Sequence, residues 1–275
     1  MLYGFFQKMF QYVNRFSLNF FIASLINLFL KLLHYKMNTD FQKIIDFRRS
    51  NRSFDPQTPV PDEVIRVSLE RAILSPNSSN LQLWEFYWVN STEALQKMVP
   101  LCLNQHAAKT AQQMVVFVTR KDKWRQRAKW NLEKIKATIK GEPNKMQKAG
   151  MNYYGKVMPL LYLNDPFGVM TLLRKSISFF MGLRKPFFRT GGSANQRISV
   201  HKSCALAAQT FMLSIAAEGF HTCPMEGFDE KRVKNFLHLP SGAEINMIIS
   251  VGLGTKEGVW GDRHRVDYDE LVFKR

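Results

Sequence analysis

The chain has 275 residues, of which 45% are hydrophobic and 22% charged, and it carries a formal net charge of +17. Those proportions belong to a globular protein with a real core, and the sequence has no internal repeat or low-complexity segment. The charge excess attracts anions, so nucleic acid, anionic lipid and phosphorylated cofactors are all candidate partners, and composition does not choose among them.

Residues 1–36 contain Lys8, Arg15, Lys31 and Lys36 and no acidic residue. Apolar positions at Leu18, Phe21, Ile22, Leu25, Leu28, Phe29, Leu32 and Leu33 follow helical spacing and predict an amphipathic helix. The apolar stretch between Arg15 and Lys31 is shorter than the roughly 20 residues a bilayer requires, and no small-x-small cleavage site follows it. Three readings stand: an interfacial helix on a membrane surface, a helix docked on the protein itself, or an extension upstream of a natural start at Met37. From Met37, Thr39 or Asp40 is a suitable N-cap for a helix over 40–48.

Pro61 suits the first turn of a helix over 62–74, which "SPNSSN" then breaks. "EFYWVN" predicts a buried strand, and "AAKTAQQ" into "MVVFVT" predicts a helix followed by a second strand. Residues 124–160 form a basic helical tract interrupted around Gly141–Pro143. The segment 165–189 mixes aromatic-rich apolar turns with Arg174, Lys175, Arg184, Lys185 and Arg189. Residues 200–220 are apolar nearly all round and predict a central buried helix ending at Gly219. "DEKRVKNFLHL" predicts a short surface helix and "INMIISVGLG" a core strand. The whole reads as one α+β domain with a helical insert.

Several chemistries leave no trace. Cys102, Cys204 and Cys223 form no C-x-x-C pair and are odd in number, as expected of buried thiols rather than of a metal or disulfide site. The histidines show no H-E-x-x-H, and neither a G-x-S-x-G elbow nor a G-x-x-x-x-G-K-[ST] loop is present. "GLGTKEG" follows a strand but has the wrong spacing for a dinucleotide-binding turn. Four polar islands remain: Arg48, Arg49, Ser50 and Arg52; "SPNSSNLQLW" at 75–84; "PMEGF" at 224–228; and "GDRHR" at 261–265. Guanidiniums and loop N–H groups suit a phosphate or polyhydroxyl ligand, although each island alone reads equally as a solvated helix end or an ordinary turn.

Taken in order, "RRSNRSF", "SPNSSNLQLW-EFYWV", "PMEGFD" and "GDRHR" resemble the signature segments of the FMN-dependent nitroreductase family, with "AAQTFMLSIAAEGFHTCPMEGFD" the most specific. The resemblance covers about residues 38–275, with 122–196 a region where the family varies. It implies a domain over 37–275 with a helical insert at about 122–196, and an α+β fold around a mixed, mainly antiparallel sheet flanked by helices. It also implies an intertwined homodimer with one FMN at each of two subunit interfaces.

Carried over motif by motif, Arg48, Arg49, Ser50 and Arg52 would contact the FMN phosphate, ribityl chain and pyrimidine edge, and Arg263 and Arg265 would complete the phosphate clamp. Pro76, Asn77, Ser78 and Asn80 would reach the flavin from the partner subunit. Asn104 would bond the pyrimidine ring, and Glu226 and Gly227 would meet the flavin near N5. The sequence departs from the family at Ala107, where some relatives have lysine, and at Leu83, where proline is usual; Arg52 then carries most of the positive charge near the N1–C2=O edge.

The implied activity is hydride transfer from NAD(P)H through FMN to a nitroaromatic, a quinone or a similar small acceptor, by ping-pong kinetics and without a metal. An alternative is a membrane-associated flavoprotein that reduces a lipophilic quinone or dehalogenates an aromatic substrate. A nucleic-acid partner is not expected, because the basic residues lie beside Leu, Phe and Met in helices and no RNA-binding aromatic motif accompanies them. The expected location is the cytoplasm, peripheral on the inner face of the membrane if residues 1–36 form an interfacial helix.

Overall fold

The sequence "QMVVFVT" is apolar at successive positions, and only a strand covered on both faces can bury such a run. That strand, β2 (Gln113–Thr119), is buried along its whole length. It pairs antiparallel with β1 (Trp84–Val89) on one side and with β4 (Glu244–Gly252) on the other, and β4 pairs antiparallel with β3 (His221–Met225). The sheet order is therefore β1-β2-β4-β3. A parallel bridge between Ser50 and Thr222 extends the β3 edge and makes the sheet mixed.

In a computed structural model, residues 40–163, 167–188 and 192–275 are described. The chain divides into two compact units, Met1–Phe47 and Arg48–Arg275. Of the first, residues 40–47 form helix α1, in which Gln42 donates to Asp46 at 3.0 Å and Lys43 to Asp40 at 3.3 Å. The three readings of residues 1–36, and Thr39 as an N-cap, lie outside the described residues.

In the second unit, α2 (Asp62–Ile73) and α9 (Ser193–Ala217) cover one face of the sheet. Val115 and Phe117 of β2 meet Cys204, Ala207, Phe211 and Ile215 of α9 there. On the other face, Met114, Val116 and Val118 pack with Met98, Cys102, Ala107 and Val233, which come from or follow α3 (Thr92–Leu101), α4 (His106–Lys109) and α10 (Glu230–Phe236). Period-two alternation along one strand thus supplies both halves of the core.

α9 begins seven residues before the expected Val200 and ends as expected. Gly219, at φ +83°, donates to Ala216, and Phe220 donates to Ile215 at 3.1 Å, which closes the helix in a Schellman cap. The elements not expected from sequence include α3 and β3. α3 starts at Ser91, whose hydroxyl accepts from the Ala94 N–H. β3 carries Pro224, tolerated because the strand lies at the edge of the sheet.

The helical tract beyond β2 resolves into α5 (Trp124–Ala137), α6 (Lys145–Asn152), a π turn over Tyr153–Val157 and α7 (Met158–Tyr162). The break falls at the Gly141–Pro143 stretch, and Asn144 with Gln147 restarts the helix in a capping box. Trp124, Ala128, Met158 and Tyr162 form a separate apolar cluster with Leu81, Leu83 and Val200. α8 (Val169–Arg184) follows.

Candidate functional site: an arginine cluster beside the sheet edge

The segment 48–55 lies between β3 and the chain leaving β4. Asn51 donates its N–H to Thr222 O at 3.0 Å, Arg52 donates to Gly258 O at 2.8 Å, and Thr255 donates to Ser53 O at 2.9 Å. Asn51 is 1% exposed, and its side chain is the fastening: Nδ2 donates to Thr255 O at 2.8 Å and Oδ1 accepts from Ser53 N at 3.0 Å. Glycines make room for it. A Cβ on Gly254 would stand 2.1 Å from Asn51 Nδ2, and one on Gly258 would stand 1.8 Å from Oδ1. The "GLGTKEG" stretch is therefore glycine-rich for packing, not for cradling a dinucleotide.

This fastening brings the two arginine islands together. Arg263 Nη2 donates to the carbonyl of Arg48 at 2.8 Å, and Arg49 Nη2 donates to Gly261 O at 2.9 Å in a turn where Gly261 takes φ +68°. Burial holds the Arg48 guanidinium below its ordinary pKa, and the charges of Arg263, Arg265 and Arg49 lower it further. Like charges gathered this closely favour an anion in their midst. Arg52 turns aside from the group: its Nη1 donates to Ser50 O at 3.3 Å, and its guanidinium lies 4.2 Å from the centroid of the Trp260 ring.

A second loop joins the same edge. Leu103 and Asn104 both take φ +55°, and the adjoining Gln105 donates Nε2 to Gly227 O at 2.6 Å and to Cys102 O at 3.1 Å. Asp229 N donates to Leu101 O at 2.8 Å, and His106 Nε2 lies 3.4 Å from Ser53 Oγ. Asn104, Glu226 and Gly227 thus stand exposed next to one another at the end of β3, tied through His106 to the arginine segment. Asn51, Gln105 and Trp260 were not singled out from sequence; their only signal there is adjacency to Arg52, Asn104 and "GDRHR".

The remaining predicted residues sit elsewhere in the unit. Asn77 Oδ1 accepts from Gln82 N at 2.8 Å, Ser78 N donates to Ser203 Oγ at 3.1 Å, and Asn80 Nδ2 donates to Asn131 Oδ1 at 3.0 Å. Pro76, Ser78 and Asn80 are exposed. The partners of Ser78 and Asn80 lie on α9 and α5, whereas those of the arginine segment lie on β3 and residues 253–261. Ala107 is buried in the core, and Leu83 packs in the cluster with Trp124.

No group of three or more metal-ligating side chains occurs among the described residues. Burial pushes the Cys102 thiol up to about 11 and the Cys204 thiol up to about 12, which leaves both unreactive at neutral pH.

Residues 45–253, more than half of the chain, match the model of the nitroreductase family. The chain belongs to the nitroreductase family. It is 24% identical over 234 residues to MhqN of Bacillus subtilis, described as a candidate NAD(P)H nitroreductase, covering 85% of this chain and 98% of that one. The fold matches that of the Bacillus subtilis nitroreductase candidate YdfN with a TM-score of 0.66 at 23% identity, over 86% of this chain and 99% of that one. It also matches a nitroreductase candidate from Exiguobacterium sibiricum, solved in complex with FMN, with a TM-score of 0.60 at 19% identity, over 86% and 97% of the two chains.

Family membership makes the protein an NAD(P)H- and FMN-dependent oxidoreductase of nitroreductase type, acting on small acceptors by flavin-mediated hydride transfer. The donor set fits that cofactor. The charges of Arg49, Arg263 and Arg265 all act on Arg48 and no acid is among the causes that shift it, a donor set suited to a phosphate dianion.

Proposed function

We propose that the protein is a homodimeric flavin reductase that passes electrons from NAD(P)H to a nitroaromatic, a quinone or a similar small acceptor. The observation that carries this reading is the gathering of Arg49, Arg263 and Arg265 close enough to Arg48 for their charges to lower its pKa, beside the turn at Gly261. These four residues hold the FMN phosphate, and Ser50 is assigned to the ribityl chain. Bound there, FMN would supply the hydride chemistry between the nicotinamide and the second substrate.

The chain's own residues bind and tune. Arg52, kept in place by Trp260, supplies a fixed cation at the pyrimidine edge and favours the electron-rich form of the ring. Asn104 would bond the pyrimidine, and the Glu226–Gly227 backbone, held by Gln105, would meet the flavin near N5. Pro76, Asn77, Ser78 and Asn80 are assigned to the flavin of the partner subunit, which accounts for their distance from this chain's arginines. Donor and acceptor use one space in turn, giving ping-pong kinetics without a separate dinucleotide fold.

The test is an absorbance spectrum of the purified protein, followed by anaerobic addition of NADH or NADPH. A flavin band that bleaches with either donor supports the reading; no flavin band, even after FMN is added back, overturns it.

The apolar outer side of α8, flanked by Lys175, Arg184 and Lys185, favours a second reading: attachment at a membrane surface, with a lipophilic quinone as acceptor. Residues 1–36 would serve the same attachment from the cytoplasmic side. Pelleting with anionic vesicles tests it, and equal partition of the full chain and a chain starting at Met37 removes residues 1–36 from the account.

A further inference from the structure

α8 is built inside out. Leu172, Phe180 and Leu183 are 68%, 66% and 67% exposed, while Arg174, in the middle of the helix, is 5% exposed. A buried guanidinium needs hydrogen bonds and a counter-charge. Arg174 has the first in part: Nε donates to Leu160 O at 2.9 Å and Nη2 to Leu163 O at 3.1 Å, capping the end of α7. Its remaining nitrogen, Nη1, is buried and has no partner among the described residues.

Arg174 lines a cavity of about 610 Å³ between α7, α8 and the first turns of α9. The size is that of a small-molecule site. Val157, Met158, Leu161, Ile177 and Phe188 supply much of the wall, and Ser78 and Ser79 close one side. Among the described residues that line it, Arg174 and Lys202 are the only charged ones, and none is acidic. An apolar chamber whose described lining holds a buried guanidinium and no acid selects for a molecule that is mostly hydrocarbon and ends in an anion.

We propose that this cavity binds an elongated apolar carboxylic acid, with the carboxylate on Arg174 Nη1 and the hydrocarbon against Val157, Ile177 and Phe188. That the bound acid also receives electrons rests on the FMN reading, because Ser78 is shared between the cavity wall and the residues assigned to flavin. Binding itself does not rest on it.

The test is calorimetric titration of the full-length protein, as purified, with dodecanoate, 1-dodecanol and dodecyl phosphate. Dodecanoate is expected to bind about ten-fold or more tighter than 1-dodecanol, as a charge-assisted hydrogen bond in a buried site allows. Arg174→Gln should erase that preference while leaving the affinity for 1-dodecanol unchanged, and Arg174→Lys should restore part of it. Equal affinity of the wild-type protein for acid and alcohol, a preference that survives Arg174→Gln, or tighter binding of dodecyl phosphate than of dodecanoate overturns the proposal.

Should Arg174→Gln fail to fold, Ile177→Trp takes its place. It fills the chamber from α8 and should weaken acid and alcohol alike, and unchanged binding of both overturns the proposal. The titration reads binding rather than turnover, so a protein found to lack flavin would refute the redox reading and leave this one standing.

Discussion

The arginine edge and the α7–α8 cavity are both cationic, but they reach that state in opposite ways. At the edge, charged side chains are half-buried or exposed and the backbone beneath them is fastened by Asn51, with Gly254 and Gly258 too close to accept a Cβ. At the cavity, the cation is buried, and the nearby π turn is open to solvent: a Cβ on exposed Gly155 would meet nothing within 4 Å. The first region fixes where charges stand by rigid main chain. The second fixes one charge by enclosing it and leaves the shape of the chamber to rotamers. A cofactor that never changes suits the first design, and a substrate that differs between relatives suits the second.

The sharpest way to break this contrast is a pair of glycine substitutions. Gly258→Ala places a methyl group 1.8 Å from Asn51 Oδ1 and 2.7 Å from the Ser53 backbone nitrogen. Overpacking of this kind costs about 3 kcal/mol, or roughly 6–12 °C in Tm, and flavin should be lost with it. Gly155→Ala should leave Tm within about 2 °C. Thermal melts of the two variants decide, and equal effects would abolish the distinction.

Next in size, Arg265→Ala removes one member of the cluster. A charged hydrogen bond contributes about 1.5–3 kcal/mol, so FMN affinity should fall about 10- to 100-fold, read as flavin loss on desalting. Retention equal to wild type would remove Arg265 from the clamp. Arg52→Ala should retain FMN but lower its midpoint potential by about 30 mV, equivalent to about 1.4 kcal/mol for two electrons. Trp260→Ala should shift the potential less and in the same direction, since the indole only positions the cation. An unchanged potential in Arg52→Ala would exclude that residue from the ring.

The smallest effect concerns Glu85, where β1 meets the start of the helical insert. Burial raises its carboxyl pKa, but hydrogen bonds from Lys123 and Arg120 outweigh burial and leave it below the usual carboxylate range. A carboxyl depressed on folding stabilises the protein above its unfolded value of about 4.3, and that stability disappears as pH falls through the folded value. Glu85→Gln should therefore flatten the loss of Tm between about pH 5 and pH 3. An acid limb as steep as wild type would show that the insert is not anchored there.

The two regions also differ in how much of them could be read from residues alone. Arg48, Arg49, Arg52, Arg263 and Arg265 stand in two short motifs that are ambiguous alone but, taken in order with "SPNSSNLQLW" and "PMEGFD", resemble the family's signature segments and so point to a phosphate. Asn51 escaped notice because a buried asparagine looks like any loop polar residue until its partners at Thr255 and Ser53 are known. β3 escaped because "HTCPM" has neither alternation nor length and carries a proline, so only its pairing with β4 reveals it. The cavity was illegible for a different reason. Its walls are ordinary apolar residues on three helices, and Arg174 sits in a run with Lys175 that reads as surface. No local pattern announces that a helix will turn its charge inward.

The fastening of residues 48–55 to the far end of the chain has a consequence for the order of events in the cell. Arg49 reaches Gly261 across 212 positions, and Arg263 reaches back to Arg48 across 215. While the ribosome is still adding residues, the sheet can assemble strand by strand, but the anion seat has only half its walls. Contacts this distant in sequence form late, because the loop they close is nearly the whole polypeptide. If these arginines hold the FMN phosphate, flavin is expected to load only after residues 261–265 have emerged, and a chain terminated before Gly261 is expected to be colourless.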